Sequence, residues 1–260
     1  MILAIDVGNT NIVLGGIDQK QIYFAERIST DLSKTELEYA VLIKTIFELY
    51  SISPQTLDGT MISSVVPPLI NILKKAVKKL SAAPVKVVGP GIRTGLNILM
   101  DHPAQLGSDL VVGAVAAIAE YEPPLILIDM GTATTISVID KNRNYIGGLI
   151  IPGIRTSLDS LVSRTSQLPR ISMEEPKHVI GKNTIDCMRS GIIYGNAALI
   201  DGMISRIKVE LGLNGEQVTI LATGGLSGSI IPLCREKIIL EENLLLKGLW
   251  ELYEKNKGQP

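Results

Sequence analysis

Two stretches of the chain place an aspartate, a glycine and hydroxyl side chains directly after an apolar strand pattern. The first runs from Asp6 to Thr10 (Asp-Val-Gly-Asn-Thr), and the second runs from Asp129 to Thr134 (Asp-Met-Gly-Thr-Ala-Thr). The glycine lets the backbone turn tightly and approach a ligand, and the amides and hydroxyls that follow can donate to phosphate oxygens. One such turn in each half predicts a cleft that holds a polyphosphate from two sides.

In the first turn, Gly8 supplies the backbone freedom, and the predicted phosphate donors are the amides of Asn9, Thr10 and Asn11 with the Thr10 hydroxyl. Asp6 is predicted to hold Mg²⁺ through water, because magnesium keeps much of its hydration shell in proteins. A plain hairpin turn, in which Asp, Asn and Gly are common, explains this stretch alone equally well. The second copy favours the phosphate-binding interpretation.

In the second turn, Thr132 and Thr134 are the predicted phosphate donors, and Asp129 is a second carboxylate near the metal. Gly224 and Gly225 lie further on, between a strand pattern and a helix pattern, where bare backbone can lie flat against an adenine or a ribose. A helix-entry loop explains this glycine pair alone. Three such motifs in this order indicate a nucleotide site.

Phosphoryl transfer to a hydroxyl also needs a group that accepts or orients its proton. Asp109 is the candidate, since it opens the apolar helix pattern that runs to Tyr121. A carboxylate in a first helical turn is also stabilised there by the unpaired amides, so capping is an equally good explanation. If Ser108 caps the helix instead, Asp109 is available to face the cleft.

The elements around the two turns repeat in the order βββαβαβα, which predicts an α/β protein with two three-layer domains, 1–121 and 122–260. The boundary lies near 121–124, and the last helix is expected to pack on the first domain. The predicted helices cover 34–50, 68–81, 108–121, 153–164, 184–211, a short stretch after Gly225, and 243–255. The strands outside the two hairpins cover 21–28, 59–65, 85–88, 145–151, 217–222 and 237–240.

The bulk composition excludes several classes of protein. The chain has 260 residues with 25 basic and 26 acidic side chains, so it lacks the positive charge typical of proteins that bind nucleic acid or anionic membranes. Its longest apolar stretch, 110–119, is far shorter than the roughly 20 residues that cross a bilayer. Cys187 and Cys234 form no CxxC pair, which favours a reducing compartment. We therefore expect a cytoplasmic protein with no membrane or nucleic-acid partner.

The finer pattern resembles the type III pantothenate kinases, a family within the actin, Hsp70 and sugar-kinase superfamily. The resemblance implies two duplicated RNase H-like domains with an interdomain nucleotide cleft. Seven short motifs carry it in order along the chain: Asp6 to Thr10, Val88 to Gly91 with Arg93 to Gly95, Leu106 to Asp109, Ile128 to Thr132, Gly147-Gly148 with Pro152-Gly153, Gly181 to Thr184 with Ser190-Gly191, and Thr223 to Gly225.

The resemblance also implies an activity, which is ATP-dependent phosphorylation of the primary hydroxyl of pantothenate to 4′-phosphopantothenate. This is the first step of coenzyme A biosynthesis. It implies Mg²⁺ with the nucleotide, a monovalent cation (K⁺ or NH₄⁺) at Asp129, and a homodimer whose pantothenate pocket lies at the subunit interface. Asp109 is then the general base. The implied ATP-binding residues are Asp6, Val7, Gly8, Asn9, Thr10, Asn11, Ile12, Val13 and Thr132, and the implied pantothenate-binding residues are Met100, Gly107, Ser108, Asp109, Leu110 and Thr184.

Two positions depart from the family pattern, since Leu110 stands where an arginine is usual and Met100 where a tyrosine is usual. A nearby cation can replace the arginine, and the candidates are Arg93, Arg155 and Lys182. Alternatively, the enzyme phosphorylates another small alcohol, or it is a nucleotide-binding regulatory paralogue with little catalysis. The presence of Asp109 argues against the regulatory paralogue. A chaperone-type ATPase is disfavoured because the chain has no room for a substrate domain.

Overall fold

The computed structural model describes residues 1–213 and 217–258 of the chain. The second predicted domain, 122–260, also includes positions 214–216 and 259–260, which lie outside the described residues. The described residues form two compact units. The first unit consists of Met1–Asn97, Asp101–Glu120 and the described residues from Asn243 onward, and the second consists of Ile98–Met100 and the described residues of Tyr121–Glu242.

The elements follow the predicted order closely along the chain. The first half contains β1 (Ile2–Val7), β2 (Asn11–Ile17), β3 (Ile22–Ser29), α1 (Glu36–Leu49), β4 (Gly59–Ser64), α2 (Pro67–Leu80), β5 (Val85–Val87), β6 (Asn97–Ile98) and α3 (Ser108–Glu120). The second half contains β7 (Leu125–Met130), β8 (Ala133–Ile139), β9 (Asn144–Pro152), α4 (Ile154–Ser163), α5 (Thr184–Glu210), β10 (Thr219–Thr223), α6 (Ser227–Ile230), β11 (Ile239–Leu240) and α7 (Leu244–Asn256).

The structure has two mixed sheets with the same topology around β1 and β7, and the second sheet also includes β6 from the first half. The first sheet has the order β3-β2-β1-β4-β5, and the second has the order β11-β10-β7-β8-β9-β6. In each, the first strand is antiparallel to the next strand in the chain and parallel to a later one. The prediction of a duplicated α/β fold is therefore confirmed. Strands β1 and β7 lie in the interior of their sheets, and their carboxyl ends occupy corresponding positions. Asp6 and Asp129 lie at these carboxyl ends.

Apolar helices cover both faces of the first sheet. On one face, Leu3, Ile5 and Val7 of β1 join the core that packs against α1 and α2. On the other face, a Cβ added at Gly59 of β4 would overlap the Tyr253 ring of α7. Helices α3 and α7 also pack closely, because a Cβ added at Gly248 would overlap the Val112 backbone of α3.

The second unit has its own core, formed by β7, β8 and β10 against α5. Ile126 and Ile128 of β7 pack in one buried cluster with Ile193, Ile200 and Ile204 of α5. The apolar positions of α5 recur at helical spacing, so one face of this long helix is buried. Within the described residues, no helix is both long enough and apolar enough to span a bilayer.

Local capping explains where several helices begin. Thr35 and Glu38 form a reciprocal capping box at the start of α1. Asn183 accepts a hydrogen bond from the Asp186 amide at 2.9 Å at the start of α5. The ends of the helices for which the sequence predicts bounds lie within two residues of the observed ends.

Candidate active site

The turn after β1 is held by three hydrogen bonds to its own neighbourhood. The Gly8 amide donates to the Asn11 carbonyl at 2.9 Å, and the Thr30 amide donates to the Thr10 carbonyl at 3.0 Å. The Thr30 hydroxyl donates to the Gly8 carbonyl at 2.7 Å. Asn9 and Thr10 are exposed. The turn therefore presents the predicted phosphate-binding residues on a fixed backbone.

The turn after β7 is held in the same way. The Gly131 amide donates to the Ala133 carbonyl at 3.1 Å, and the Gly153 amide donates to the Thr132 carbonyl at 3.2 Å. The Thr156 hydroxyl donates to the same Thr132 carbonyl at 2.9 Å. Gly131 and Thr132 are exposed. The repeat seen in the sequence is thus a repeat of the hydrogen-bonding pattern, in a turn that is one residue shorter: Met130 pairs with Thr134, whereas Val7 pairs with Ile12.

Thr134 does not belong to the exposed part of this turn. It lies in β8, is 2% exposed, and its hydroxyl oxygen has no hydrogen-bond partner in the described part of the chain. Side chains alternate between the two faces of a strand, so Thr134 shares the core face with Ile136. The prediction that Thr134 donates to a phosphate is therefore not supported.

Val7 and Ile12 are core side chains, at 1% and 0% exposure. Any contact that they make with a nucleotide is limited to their backbone atoms. Val13 is half-buried, and its β2 position faces Asp6 across the strand pair. Within the implied ATP-binding stretch, Val7 and Ile12 therefore offer backbone groups only.

The two aspartates occupy equivalent positions at the carboxyl ends of their central strands. Asp6 is 8% exposed and lies level with Ser63 of the parallel strand β4. Asp129 is half-buried and lies level with Thr223 of the parallel strand β10. Among the described residues, no group of three or more His, Cys, Asp or Glu side chains could hold a metal. A single carboxylate nevertheless suits Mg²⁺, which retains waters and binds substrate phosphates.

The Thr-Gly-Gly loop lies directly on the end of β7. Gly224 has φ +96°, and a Cβ added to it would lie 2.6 Å from the Met130 amide nitrogen. The Ser227 hydroxyl and amide both donate to the Gly224 carbonyl, at 2.7 and 3.2 Å. Only glycine fits this position, because both the dihedral angle and the contact exclude a side chain. Gly225 follows it and is exposed, just before α6.

A cavity of about 340 Å³ lies in the second unit, and residues that follow Gly153 and Gly225 in the chain help to form it. Most of its wall is apolar, as a planar base requires. Its Glu174 is held by Arg189 in an ion pair of 3.0 Å. The cavity is lined by Ile154, Arg155, Ser172, Met173, Glu174, Ile193, Leu226, Ser229 and Ile230.

Asp109 lies in the first turn of α3 and is half-buried. Burial raises the pKa of its carboxyl group above the ordinary value, and hydrogen bonds from the amides of Leu110 and Asp109 itself oppose this rise. The Leu110 amide donates to Asp109 Oδ1 at 2.9 Å. A Cβ added at Gly107 would overlap Asp109 Oδ1. A carboxylate whose pKa is raised is a better proton acceptor than an ordinary aspartate.

Ser108 does not cap α3. Its hydroxyl accepts from the Ser64 amide at 3.2 Å, donates to the Ser64 carbonyl at 3.1 Å, and lies 3.1 Å from the Ser63 hydroxyl. The alternative in which Ser108 is the helix cap is therefore wrong. Sequence reasoning missed Ser63 and Ser64, although two serines at the end of an apolar strand pattern are a signal of the same kind as the other motifs.

Thr184 lies in the second unit, at the start of α5, on the wall of a pocket of about 790 Å³. Lys182 lines the same pocket, is exposed, and makes no ion pair with any described residue. Met100 is half-buried just after β6, with Ile98 and Leu99 in the second unit. The pocket is lined by Leu161, Leu168, Gly181, Lys182, Asn183, Thr184, Cys187, Met188, Gly191 and Ile192.

The fold is similar to that of several solved structures that share little sequence identity with this chain. Component A of (R)-2-hydroxyglutaryl-CoA dehydratase from Acidaminococcus fermentans superposes with a TM-score of 0.58 at 15% identity, covering 98% of both chains. The activator of 2-hydroxyisocaproyl-CoA dehydratase from Clostridium difficile, solved with bound ADPNP, gives 0.57 at 14% identity, covering 99% of this chain and 96% of that one. At these identities the likeness concerns the fold alone.

The sequence comparisons are more specific. The family model for type III pantothenate kinase matches residues 2–206. A type III pantothenate kinase from an Exiguobacterium species is 45% identical over 257 residues, which cover 99% of this chain and 100% of that protein. The chain belongs to the type III pantothenate kinase family.

Proposed function

We propose that the protein transfers the γ-phosphoryl group of ATP to the primary hydroxyl of pantothenate, which gives 4′-phosphopantothenate in the first step of coenzyme A biosynthesis. Family membership supplies the reaction. The single observation that carries the mechanism is Asp109, a half-buried carboxylate with a raised pKa in the same unit as the turn after β1. This combination is expected of a kinase and not of a protein that only senses nucleotide.

Each turn, within its own unit, offers groups suited to the phosphates of ATP. Support comes from the exposed residues of the first turn, Asn9 and Thr10, and from Thr132 in the second turn. The apolar cavity beside Leu226 has a suitable lining for the adenine. Gly224 and Gly225 bring bare backbone to the same region, where a side chain would obstruct the nucleotide.

Asp6 would hold Mg²⁺ through water, and Asp129 would hold a monovalent cation, K⁺ or NH₄⁺. The low exposure of Asp6 and its position at the strand end suit a carboxylate that holds a hydrated ion beside phosphates. When bound, magnesium would neutralise part of the phosphate charge. The half-buried Asp129 carboxylate lies at the equivalent strand end of the second unit.

Asp109 accepts the proton of the attacking hydroxyl. The hydroxyl oxygen forms a bond to the γ-phosphorus, the bond to the β-phosphate oxygen breaks, and ADP leaves. The proton passes to the Asp109 carboxylate, whose raised pKa favours its protonated form. Gly107 leaves room for the carboxylate, since a side chain at that position would overlap it.

The carboxylate of pantothenate requires a cation that Leu110 does not provide. Lys182 is the cation that lines the pocket of Thr184, and it has no competing ion pair among the described residues. Arg155 lines the other cavity, which is the one proposed for the adenine. We therefore propose Lys182, with Thr184, as the partner of the pantothenate carboxylate. Ser108, which has its hydroxyl engaged with β4, would contact substrate through its backbone.

The protein is proposed to act as a homodimer in the cytoplasm, where ATP is available as the phosphate donor. Val179, Ile180 and Ile185 flank the Lys182 pocket and are 64%, 81% and 44% exposed. A second copy of the chain that covers these apolar side chains would place the pantothenate pocket at the subunit interface. Sedimentation analysis of wild type and Ile180→Asp tests this, because the variant should shift the equilibrium toward monomer.

The activity is tested by ADP release from purified protein with Mg-ATP and potassium, with and without pantothenate. We expect pantothenate to stimulate turnover and mass spectrometry to detect 4′-phosphopantothenate. Tight ATP binding without stimulation by pantothenate would contradict the assignment. It would favour either another small alcohol as acceptor or a regulatory role.

A further inference from the structure

A partly buried hydroxyl pair connects the end of β4 to the first turn of α3. Ser63 is 0% exposed, and its Oγ lies 3.1 Å from the Oγ of Ser108, the residue before Asp109. Ser108 Oγ also lies 3.2 Å from the Ser64 amide nitrogen and 3.1 Å from the Ser64 carbonyl oxygen. The two serines are separated by 45 positions in sequence, so this contact is formed only by the tertiary fold.

The direction of these hydrogen bonds follows from counting protons. A serine hydroxyl has one proton to donate and two lone pairs to accept with. Ser108 donates its proton to the Ser64 carbonyl and accepts from the Ser64 amide. The remaining contact is therefore one in which the Ser63 hydroxyl donates to Ser108 Oγ. Ser63 completes the hydrogen bonding of Ser108.

We propose that Ser63 is a positioning residue for phosphoryl transfer, which acts through Ser108 to fix Asp109 at the start of α3. The proposal rests on the proposed function for the role of Asp109 as the base. Ser63 also lies level with Asp6 in the parallel pair β1–β4, and neighbouring residues of such a pair point to the same face. One side chain thus lies between the strand end of Asp6 and the helix start of Asp109.

The contact is suited to positioning because its loss leaves the rest of the anchor in place. Ser108 retains both hydrogen bonds to the Ser64 backbone, so α3 stays attached to β4. The Ser108 hydroxyl loses its third hydrogen-bond partner. The helical turn that carries Asp109 is then less constrained. The removal of one neutral hydrogen bond corresponds to a decrease in kcat of about tenfold.

The charged surroundings of Asp109 allow its titration to report on this contact. Strand β4 contains no ionisable side chain, β1 contributes Asp6, and on α7 Lys247 pairs with Glu120 at the opposite end of α3. Burial is the largest cause of the raised pKa of Asp109, and no charged side chain is among its causes. A looser first turn admits water and lowers that pKa.

The test is Ser63→Ala, with Thr60→Val as the matched control. Thr60 is a second fully buried hydroxyl in β4, and it has no hydrogen-bond partner in the described part of the chain. In Ser63→Ala we expect kcat to fall about tenfold with KM for ATP unchanged, and the Asp109 pKa to fall when the ¹³C-labelled carboxyl is titrated by NMR. In Thr60→Val we expect wild-type kcat and an unchanged Asp109 pKa.

A double-mutant cycle with Ser108→Ala separates positioning from general loosening. If Ser63 acts through Ser108, the double variant should lose no more in kcat than Ser108→Ala alone. Additive losses, or a Ser63→Ala variant that melts earlier yet keeps both kcat and the Asp109 pKa, would overturn the proposal. The NMR titration needs no substrate, so it decides the positioning role even if wild-type enzyme fails to phosphorylate pantothenate.

Discussion

The turns after β1 and β7 share one backbone plan but have different neighbours. In both, a glycine amide closes the turn, and an amide from just beyond the third strand holds a threonine carbonyl. Beside the first turn lie two serines of β4 and the carboxylate-bearing start of α3. Beside the second turn lie Gly153 and Gly224, where an added Cβ would meet the backbone.

The difference indicates a division of labour between two copies of one structure. The first copy is surrounded by side chains that can accept or orient a proton. The second copy is surrounded by positions where side chains are excluded, as expected where a nucleotide lies close to the main chain. The duplicated turn itself cannot distinguish the two roles, so they are assigned by its neighbours.

The largest expected effect comes from replacing Asp109, the proposed base beside the first turn. Asp109→Asn keeps the size of the side chain and should lower kcat by about 10²- to 10⁴-fold, because general base catalysis contributes that much. Steady-state ADP release with saturating pantothenate measures it. Glu120→Gln, at the other end of α3 and paired with Lys247, is the control and should keep wild-type kcat.

The second copy is tested by adding a methyl group where none fits. Gly224→Ala should destabilise the protein by about 2 kcal/mol or more, because it combines a positive φ with overlap on Met130. Gly202→Ala, on α5 with open space around it, should be neutral or slightly stabilising. Chemical unfolding of both variants measures the difference. Equal effects would mean that the close approach at Gly224 is unimportant.

The next effect concerns the charge of the acceptor substrate. Lys182→Met should raise KM for pantothenate about tenfold through loss of a charged hydrogen bond. It should leave KM for pantothenol unchanged, since this analogue has a hydroxyl in place of the carboxylate. Lys177→Met, an exposed lysine outside the pocket, should affect neither substrate. A similar rise in KM for both substrates would place the carboxylate elsewhere.

The smallest effect is on stability. Burial raises the pKa of folded Asp109, so the protonated group stabilises the fold below its unfolded pKa, and this contribution is lost as pH rises through the folded pKa. Asp109→Asn should therefore raise Tm slightly near pH 7, and the gain should vanish below about pH 4. Thermal unfolding across this range measures it, with exposed Asp101→Asn as control. A gain that is constant with pH would contradict the buried-charge explanation.

The repeated fold could be predicted because its signals are local. Apolar alternation and the two Asp-x-Gly turns act within a few positions. Strand β6 has only two residues, Asn97 and Ile98, so no periodicity could reveal it. Its place at the edge of the second sheet depends on pairing with a distant strand.

The site residues could be predicted by type, but their partners could not. Asp6 and Asp109 were visible as carboxylates at element ends, whereas the Ser63–Ser108 contact joins residues far apart in sequence. One alternative had Ser108 capping α3 and so freeing Asp109, but the partners of Ser108 are in β4. Thr132 and Thr134 had the same predicted role, but Thr134 lies in β8. Because side chains alternate along a strand, its side chain is buried in the core.

The most direct test of the division of labour measures ATP affinity and product formation on the same Asp109→Asn sample. Calorimetry should give a Kd for Mg-ATP within about twofold of wild type, while mass spectrometry should show that 4′-phosphopantothenate formation falls at least about a hundredfold. Loss of ATP binding together with activity would make Asp109 part of the nucleotide site. Retention of product formation would remove it as the base.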